Sequence, residues 1–392
     1  MRVVIGCVGH WVHLWRGLFT ALCDRGDVDL HVLTCGAAPG DWRLCQEAME
    51  GRPNLSIVNL PAYLSRLGHM AAWTYPFGEV GRRVAATAPD IIYSIGEISY
   101  ISTFQLARAR ERHAPRARLF VYGAQNISRK YPLPFSALEQ YTVRRLDHLF
   151  PVGSDAEQVV RDKGYQGPAT HMPLGVDETL FARTGDVSEA RRRWGLEGFV
   201  VGYVGRLTPV KCVDLLLQAV AQMGGDAKAL IIGHGPQEQA LRALAAELGV
   251  TQNVQFVGSV PQTELPLLYS CMNAFVLPSR EVEYSQREYG LGISPVRIGL
   301  KEQFGRVLVE AMACQVPVVG STSGEIPTVI GDAGLVFREG DADDLARCLN
   351  EYRESPGLRA EKAQAGRERA LAHYTWRVIA DRMAGVWSDS LA

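Results

Sequence analysis

The chain has 392 residues, 47% of them hydrophobic and 21% charged, with a formal net charge of −1. That length exceeds one typical core and points to two or three domains. The near-neutral charge excludes a global nucleic-acid-binding face, and no run of 18 apolar residues exists to cross a membrane as a helix.

The N-terminus Met1-Arg2-Val3-Val4-Ile5-Gly6 moves straight into a strand, without the apolar core of a signal peptide. Strand signals continue at Asp29–Thr34, Leu55–Leu60, Ile91–Ser94, Leu119–Tyr122 and His148–Val152. A helix with Leu14, Trp15, Leu18, Phe19 and Leu22 on one face is expected after the first strand. Others are expected around Phe77–Thr87, Ser99–Arg110, Pro134–Asp147 and Asp155–Lys163, where Gly164 ends the last. Residues 173–183 show no strong period and read as an interdomain linker. The alternation then restarts, with strands at Val200–Val204, Ala229–Ile232, Val254–Val257, Ala274–Leu277, Val316–Val319 and Leu335–Phe337. Repeated βα units imply parallel sheets covered on both faces. The expected fold is therefore α/β, with two Rossmann-like doubly wound domains facing across a cleft. The first is expected over 1–172 and the second over 184–373. Arg280–Leu300 reads as an irregular stretch, long enough to be a binding loop.

Charge and cysteines narrow the setting. Residues 1–170 hold 19 Lys+Arg against 15 Asp+Glu, a net of +4, and the rest hold 22 against 27, a net of −5. The run from Arg108 to Arg118 supplies much of the first excess. It reads either as a solvated helix end or as a weak site for anionic lipid or an acidic acceptor. The eight cysteines, at 7, 23, 35, 45, 212, 271, 314 and 348, include no pair with the two-residue gap of a zinc or redox motif. A reduced, cytoplasmic location is expected, with weak peripheral contact at the inner face of a membrane left open.

The densest chemistry lies between Lys301 and Cys314. Glu302 precedes an apolar-periodic helix formed by Phe304, Val307, Leu308, Ala311 and Met312, and Glu310 lies inside it. Gly305 at the helix start would let backbone approach a ligand. Retaining glycosidases place two carboxyl groups about 5–5.5 Å apart, whereas eight residues of helix rise separate these by about 12 Å. The pair reads as two contacts along one long ligand.

Other candidates sit at strand ends. Gly205, Arg206 and Lys211 follow the first strand of the second domain and precede a helix, where phosphate binds readily. They read as diphosphate ligands or as surface cations on a βα loop. Gly233-His234-Gly235-Pro236 ends the next strand, and His234 either lines a site or shapes the turn. Val260 follows the strand after that, where a base could meet main-chain groups. Ser321-Thr322-Ser323-Gly324-Glu325 reads as a capped helix start. Asp27-Val28-Asp29 begins a strand and Asp341-Ala342-Asp343 caps a helix, so neither is taken as a metal clamp.

Glu302 to Glu310, in the context Glu-Gln-Phe-Gly-Arg-Val-Leu-Val-Glu-Ala-Met-Ala-Cys, together with Gly205-Arg206…Lys211, Gly233-His-Gly-Pro and Ser323-Gly-Glu-Ile-Pro, resembles glycosyltransferase family 4. The resemblance covers Gly202–Asp341 closely and the first half loosely. It implies a GT-B fold whose last helix, about 374–392, crosses back to the first domain. It also implies retaining transfer of a hexose or N-acetylhexosamine from a nucleotide diphosphate sugar, UDP before GDP, to a hydroxyl acceptor. By this resemblance Arg206 and Lys211 hold the diphosphate, Glu310 the ribose, and Glu302 the donor hexose with main-chain N–H groups at Phe304 and Gly305. Val260 meets the base, and Gly9, Gly205, His234 and Arg306 complete the donor side. Arg206, Lys211 and Glu302 carry the catalysis. No cofactor and no metal are implied, and the partners are the donor and the acceptor alone.

The chain departs from the family pattern in three places. Gly9-His10-Trp11 replaces a Gly-Gly pair, Cys212 stands where Gly is common, and Gly123-Ala124-Gln125-Asn126 stands where a His is frequent. His10, Glu97, Gln125, Asn126 and Lys130 are accordingly the acceptor-side candidates. A GT-B nucleotide-sugar epimerase and a non-catalytic sugar-nucleotide-binding partner remain alternatives. Conversion without acceptor would mark the first, and absence of nucleotide release the second.

Overall fold

The computed structural model describes every residue except 65–71 and 286–296, with backbone alone for His10, Trp11, Tyr284 and Ile298. The chain forms two compact units, Met1–Gly175 with Trp376–Ala392, and Val176–Thr375.

In the first unit the strands are β1 (Arg2–Val8), β2 (Asp29–Cys35), β3 (Leu55–Leu60), β4 (Ile91–Ile95), β5 (Arg118–Gly123) and β6 (His148–Pro151). They form one parallel sheet in the order β3-β2-β1-β4-β5-β6. The helices are α1 (Arg16–Asp24), α2 (Pro39–Met49), α3 (Glu79–Thr87), α4 (Ile101–His113), α5 (Phe135–Val143) and α6 (Ser154–Asp162). Val4, Leu33, Ile92, Leu106 and Leu119 meet in its core. Two local readings need correction. The first helix begins only at Arg16, because Gly9 has φ +74° and Gly9–Trp15 turns as a 3-10 segment. Helix α2 was not anticipated: Pro39 starts it, but only Cys45 and Ala48 are buried along it, too few to show a period.

The second unit repeats the plan. Helix α7 (Ser188–Arg193) precedes β7 (Phe199–Val204), α8 (Val213–Met223), β8 (Ala227–Ile232), α9 (Glu238–Glu247), β9 (Val254–Gly258), α10 (Leu265–Ser270) and β10 (Ala274–Leu277). After β11 (Val282–Ser285) and β12 (Arg297–Leu300) come α11 (Arg306–Ala313), β13 (Val318–Ser321), α12 (Ile326–Ile330), β14 (Gly334–Phe337), α13 (Ala342–Glu354) and α14 (Pro356–His373). Its six-stranded parallel sheet has the order β14-β13-β10-β7-β8-β9. Counted from its own first strand, that is the same 3-2-1-4-5-6 order as in the first unit. Such sheets bind ligands outside the strand carboxyl ends where the order reverses. The reversal lies between β1 and β4 in one unit and between β7 and β10 in the other.

Two further differences follow, and the expected last helix is in place. The expected linker over 173–183 is not free chain beyond Gly175: Phe181 is fully buried with its ring 6.2 Å from Tyr269, and the Thr184 N–H donates to Ser270 Oγ at 2.9 Å. The stretch Arg280–Leu300, read as irregular, contains an antiparallel ribbon of β11 and β12. Its strands are too short and too distant in sequence to give a hairpin signal. Helix α15 (Trp376–Leu391) packs on the first unit, where Trp387 is fully buried with its ring 6.1 Å from Tyr93 and 6.3 Å from Phe120.

Candidate functional site

The carboxyl ends of β7 and β10 bring the second unit's polar residues together. The loop after β7 leaves through Gly205, at φ +152°, and is pinned by the Tyr203 hydroxyl donating to Arg206 O at 2.9 Å. Its Leu207 N–H donates to His234 O at 3.0 Å. A Cβ on Gly233 would lie 2.0 Å from Gly205 O, so only glycine lets the loops after β7 and β8 touch. Lys211 closes one 3-10 turn, and Cys212 enters α8 with φ +45°. That left-handed backbone explains why glycine is common at this position in the resembling family.

Glu302 is the centre. It is buried, and its Oε2 accepts from Lys211 Nζ at 2.5 Å and from Ser279 Oγ at 2.8 Å. Ser321 Oγ in turn donates to Ser279 O at 2.5 Å. Burial alone would push the Glu302 carboxyl up, but the Lys211 charge and hydrogen bond, with the Ser279 hydroxyl, outweigh it and hold the group below its usual range. Gly324, at φ +52°, makes the arrangement possible, since a Cβ there would lie 2.0 Å from Glu302 O.

Helix α11 begins after Gly305, which has φ +82° and no room for a Cβ against Leu277. The axial-rise estimate for the two glutamates therefore does not apply, because Glu302 stands in the segment before the helix. Glu310 lies one turn inside, buried. It accepts from the Tyr269 hydroxyl at 3.1 Å and forms an ion pair with Arg306 at 3.3 Å. Burial pushes its carboxyl up, against the Arg306 charge and the Tyr269 hydrogen bond. Arg206 is exposed at the strand end. Phe304 is buried against Tyr374 with ring centroids 5.8 Å apart. His234 shares a hydrogen bond with Ser259, the residue before half-buried Val260.

The structure thus joins Lys211 to Glu302 and sets Glu310 in the helix that Gly305 opens; it adds two residues the sequence did not mark, Ser279 and Tyr269, and a new contact for Ser321. Ser321 was visible only as a helix start, yet α12 takes no side-chain cap. Asp341 caps α13 by accepting from the Asp343 and Asp344 N–H groups at 3.1 and 3.0 Å.

In the first unit Gly9 follows β1, and the His10 side chain lies outside the described residues. Glu97 follows β4 and accepts from the Ala124 and Gln125 N–H groups, both at 2.9 Å. Burial pushes its carboxyl up to about 7 despite those two donors. Gln125 was read as a substrate contact in place of an imidazole. Its amide is engaged within its own loop: Nε2 donates to Ile127 O at 2.9 Å, and Oε1 accepts from the Tyr131 hydroxyl at 2.7 Å. Asn126 is buried and Lys130 exposed. A half-buried cation nearby is Lys163, not marked as a site residue by the sequence, which pairs with Glu139 at 2.6 Å and donates to Arg129 O at 2.8 Å. In the basic run, Arg110 and Arg118 pair with Asp147 at 2.9 and 3.5 Å, while Arg108, Arg112 and Arg116 are exposed.

Residues 186–369 match the family described as glycosyl transferases group 1. A GDP-mannose-dependent monoacylated alpha-(1-6)-phosphatidylinositol monomannoside mannosyltransferase from Corynebacterium glutamicum is 32% identical over 257 residues, 64% of this chain and 60% of that protein. A D-inositol 3-phosphate glycosyltransferase from Stackebrandtia nassauensis is 30% identical over 280 residues, 66% of this chain and 58% of that protein. The chain therefore spans less than two thirds of the curated relatives it matches. The crystal structure of Anabaena HepE with UDP aligns over 99% of this chain and 100% of its own, at a TM-score of 0.77 and 19% identity. The sucrose-phosphate synthase of Thermosynechococcus elongatus covers 99% and 98%, at a TM-score of 0.70 and 19% identity. These likenesses show the fold, GT-B. Residues 186–369, which hold Lys211, Glu302 and Glu310, are the part of the chain that matches the glycosyl transferases group 1 family.

Proposed function

We propose that the chain is a retaining glycosyltransferase that moves a hexose from a nucleotide diphosphate sugar to a hydroxyl acceptor. The observation that carries this reading is the buried Glu302 carboxylate held by Lys211 and Ser279 at the reversal point of the second sheet. Glu302 receives donor-sugar hydroxyls, Glu310 the ribose hydroxyls, and Arg206 with Lys211 the diphosphate. Two cations at one strand end supply the charge that a leaving diphosphate develops, so the reading asks for no divalent ion. In the reacting step the bond from the sugar's anomeric carbon to phosphate oxygen breaks, and a bond from that carbon to the acceptor oxygen forms on the same face. The acceptor's proton passes to the leaving phosphate oxygen.

For the donor we favour GDP-mannose over the UDP-sugar expected from sequence. Relatives at 32% identity are named for GDP-mannose, whereas UDP enters through structures at 19% identity, a level that speaks for fold. The relatives' names also make inositol-containing acceptors the first to try. Among the described residues no helix is long and apolar enough to cross a membrane. Weak contact with an anionic lipid surface through exposed Arg108, Arg112 and Arg116 is part of this reading.

The test is a donor and acceptor screen by thermal shift and nucleotide release, with EDTA controls and NMR of the product's anomeric carbon. GDP-mannose stabilises the protein by mass action, and transfer with retention follows. Arg206→Ala lowers kcat/KM at least about a hundredfold, as loss of a transition-state charge contact does. Transfer within threefold of wild type in that variant, or an inverted product, overturns the proposal.

A further inference from the structure

Ser279 and Glu302 hold one another across the excursion that contains the β11–β12 ribbon. The first residues of that excursion are stitched to their surroundings. The Arg280 N–H donates to Val210 O at 2.9 Å, in the loop that carries Lys211. Ser321 Oγ donates to Ser279 O at 2.5 Å. The Glu281 N–H donates to Glu339 Oε1 at 2.6 Å. Here the acceptor is a carboxylate, which makes a hydrogen bond roughly twice as strong as a neutral one.

Glu339 is placed to hold that amide because its own turn is firm. The turn joins β14 to α13. The Arg338 N–H donates to Asp344 Oδ2 at 2.8 Å, and the Asp341 N–H donates to Arg338 O at 3.1 Å. Gly340 takes φ +79°, and the Asp341 carboxylate caps α13. The Glu339 N–H donates to Thr322 Oγ1 at 3.1 Å, next to Ser321. One half-buried side chain therefore connects a capped helix start to the segment Ser279-Arg280-Glu281.

We propose that Glu339 is a positioning residue for the donor clamp. By holding the Glu281 amide it fixes the start of the ribbon, and with it Ser279, whose hydroxyl holds the Glu302 carboxylate. Glu339 itself touches no substrate. The inference rests on the reading of Glu302 as the donor-sugar ligand. It gives the ribbon's base a function: to keep two halves of one clamp in register although a long excursion separates them in the chain.

The test compares Glu339→Ala, Glu339→Gln and Glu302→Gln with wild type. Titration calorimetry measures GDP-mannose and free GDP, with UDP-glucose and UDP in parallel, and thermal unfolding is recorded for each variant. Glu339→Ala weakens the sugar nucleotide about threefold to tenfold, the worth of part of one charged hydrogen bond, and leaves the free nucleotide within about twofold. Glu339→Gln keeps a carbonyl that accepts the Glu281 amide and restores sugar-nucleotide affinity to within about twofold of wild type. Wild-type sugar-nucleotide affinity in Glu339→Ala overturns the inference. So does an equal loss of both ligands with a lowered Tm, which a merely structural role produces. Glu302→Gln separates the two levels. If it leaves the sugar's contribution to affinity intact, the donor-clamp reading itself fails. If it removes that contribution and Glu339→Ala does not, only the positioning role fails.

Discussion

Lys211→Met removes the cation that faces Glu302 and leaves most of the apolar stem. The carboxylate it abandons is 8% exposed. Taking one partner from a buried pair leaves an uncompensated charge and costs about 3–5 kcal/mol. The Lys211 side chain is 24% exposed and Ser279 still donates, so the lower end, about 3 kcal/mol, applies. In a unit the size of Val176–Thr375, 1 kcal/mol moves Tm by about 2–4 °C. The second unit's transition should therefore fall by about 6–12 °C. The double variant Lys211→Met/Glu302→Gln regains at least about half of that loss, because an amide needs no counter-charge. The pH dependence has a definite sign. Glu302 is held below its ordinary 4.5 in the folded wild type, so its contribution is present above the unfolded value and is lost as pH falls through the lower folded one. Without Lys211, burial raises the carboxyl, and acid relieves the variant's penalty. The Tm gap between wild type and Lys211→Met is thus widest near neutrality, narrows as the variant's raised carboxyl takes up its proton above 4.5, and closes further as pH falls below that value. Calorimetric scans from neutral to acid pH measure it. Equal Tm values for the single and double variants at neutral pH, or a gap that ignores pH, would refute the reasoning.

Two other substitutions test different parts of the molecule. Glu310 is raised by burial, and an acid raised on folding loses stability as pH rises through its folded value. Glu310→Gln should therefore be more stable than wild type at alkaline pH, with the difference fading towards pH 4, while nucleotide binding weakens about tenfold in calorimetry; a less stable variant with full affinity contradicts this. Trp387→Ala removes a fully buried ring between Tyr93 and Phe120 and should cost the first unit about 3–5 kcal/mol, read as a lower denaturant midpoint. An unchanged midpoint would mean that α15 is not part of that unit's core.

Much of the fold was legible because buried parallel strands are short apolar runs bounded by Gly, Pro and polar residues, and most strands of the two parallel sheets are of that kind, the edge strands β3, β9 and β14 being only partly buried. Lys211, Glu302 and Glu310 were legible too, since each sits at a strand end or helix start whose chemistry follows from its neighbours in the chain. Their partners were not. Lys211 and Glu302 are 91 residues apart, Tyr269 and Glu310 are 41 apart, and Ser279 and Glu302 are 23 apart with a ribbon between them. No local period announces such a pairing. Gln125, singled out by its place at a strand end, has its amide engaged by Ile127 and Tyr131, partners that no local pattern announced either.

The glycines sharpen the point. Read from sequence, Gly305 lets backbone approach a ligand, Gly233 ends a strand and Gly324 stands in a capped helix start. In the structure each yields to the protein first. Gly233 clears Gly205 O, Gly305 clears Leu277, and Gly324 clears Glu302 O, while Gly233, Gly305 and Gly324 all carry positive φ. Without these contacts, the loops after β7, β8 and β13 and the segment before α11 could not lie against one another. The glycine-rich appearance of the second unit is thus a packing requirement of the clamp. Its ligand chemistry rests on the side chains that this packing brings within hydrogen-bonding distance. That division explains why the motif predicts a place more securely than a substrate: close loop packing constrains backbone, whereas the donor sugar is selected by what surrounds Glu302 and Glu310.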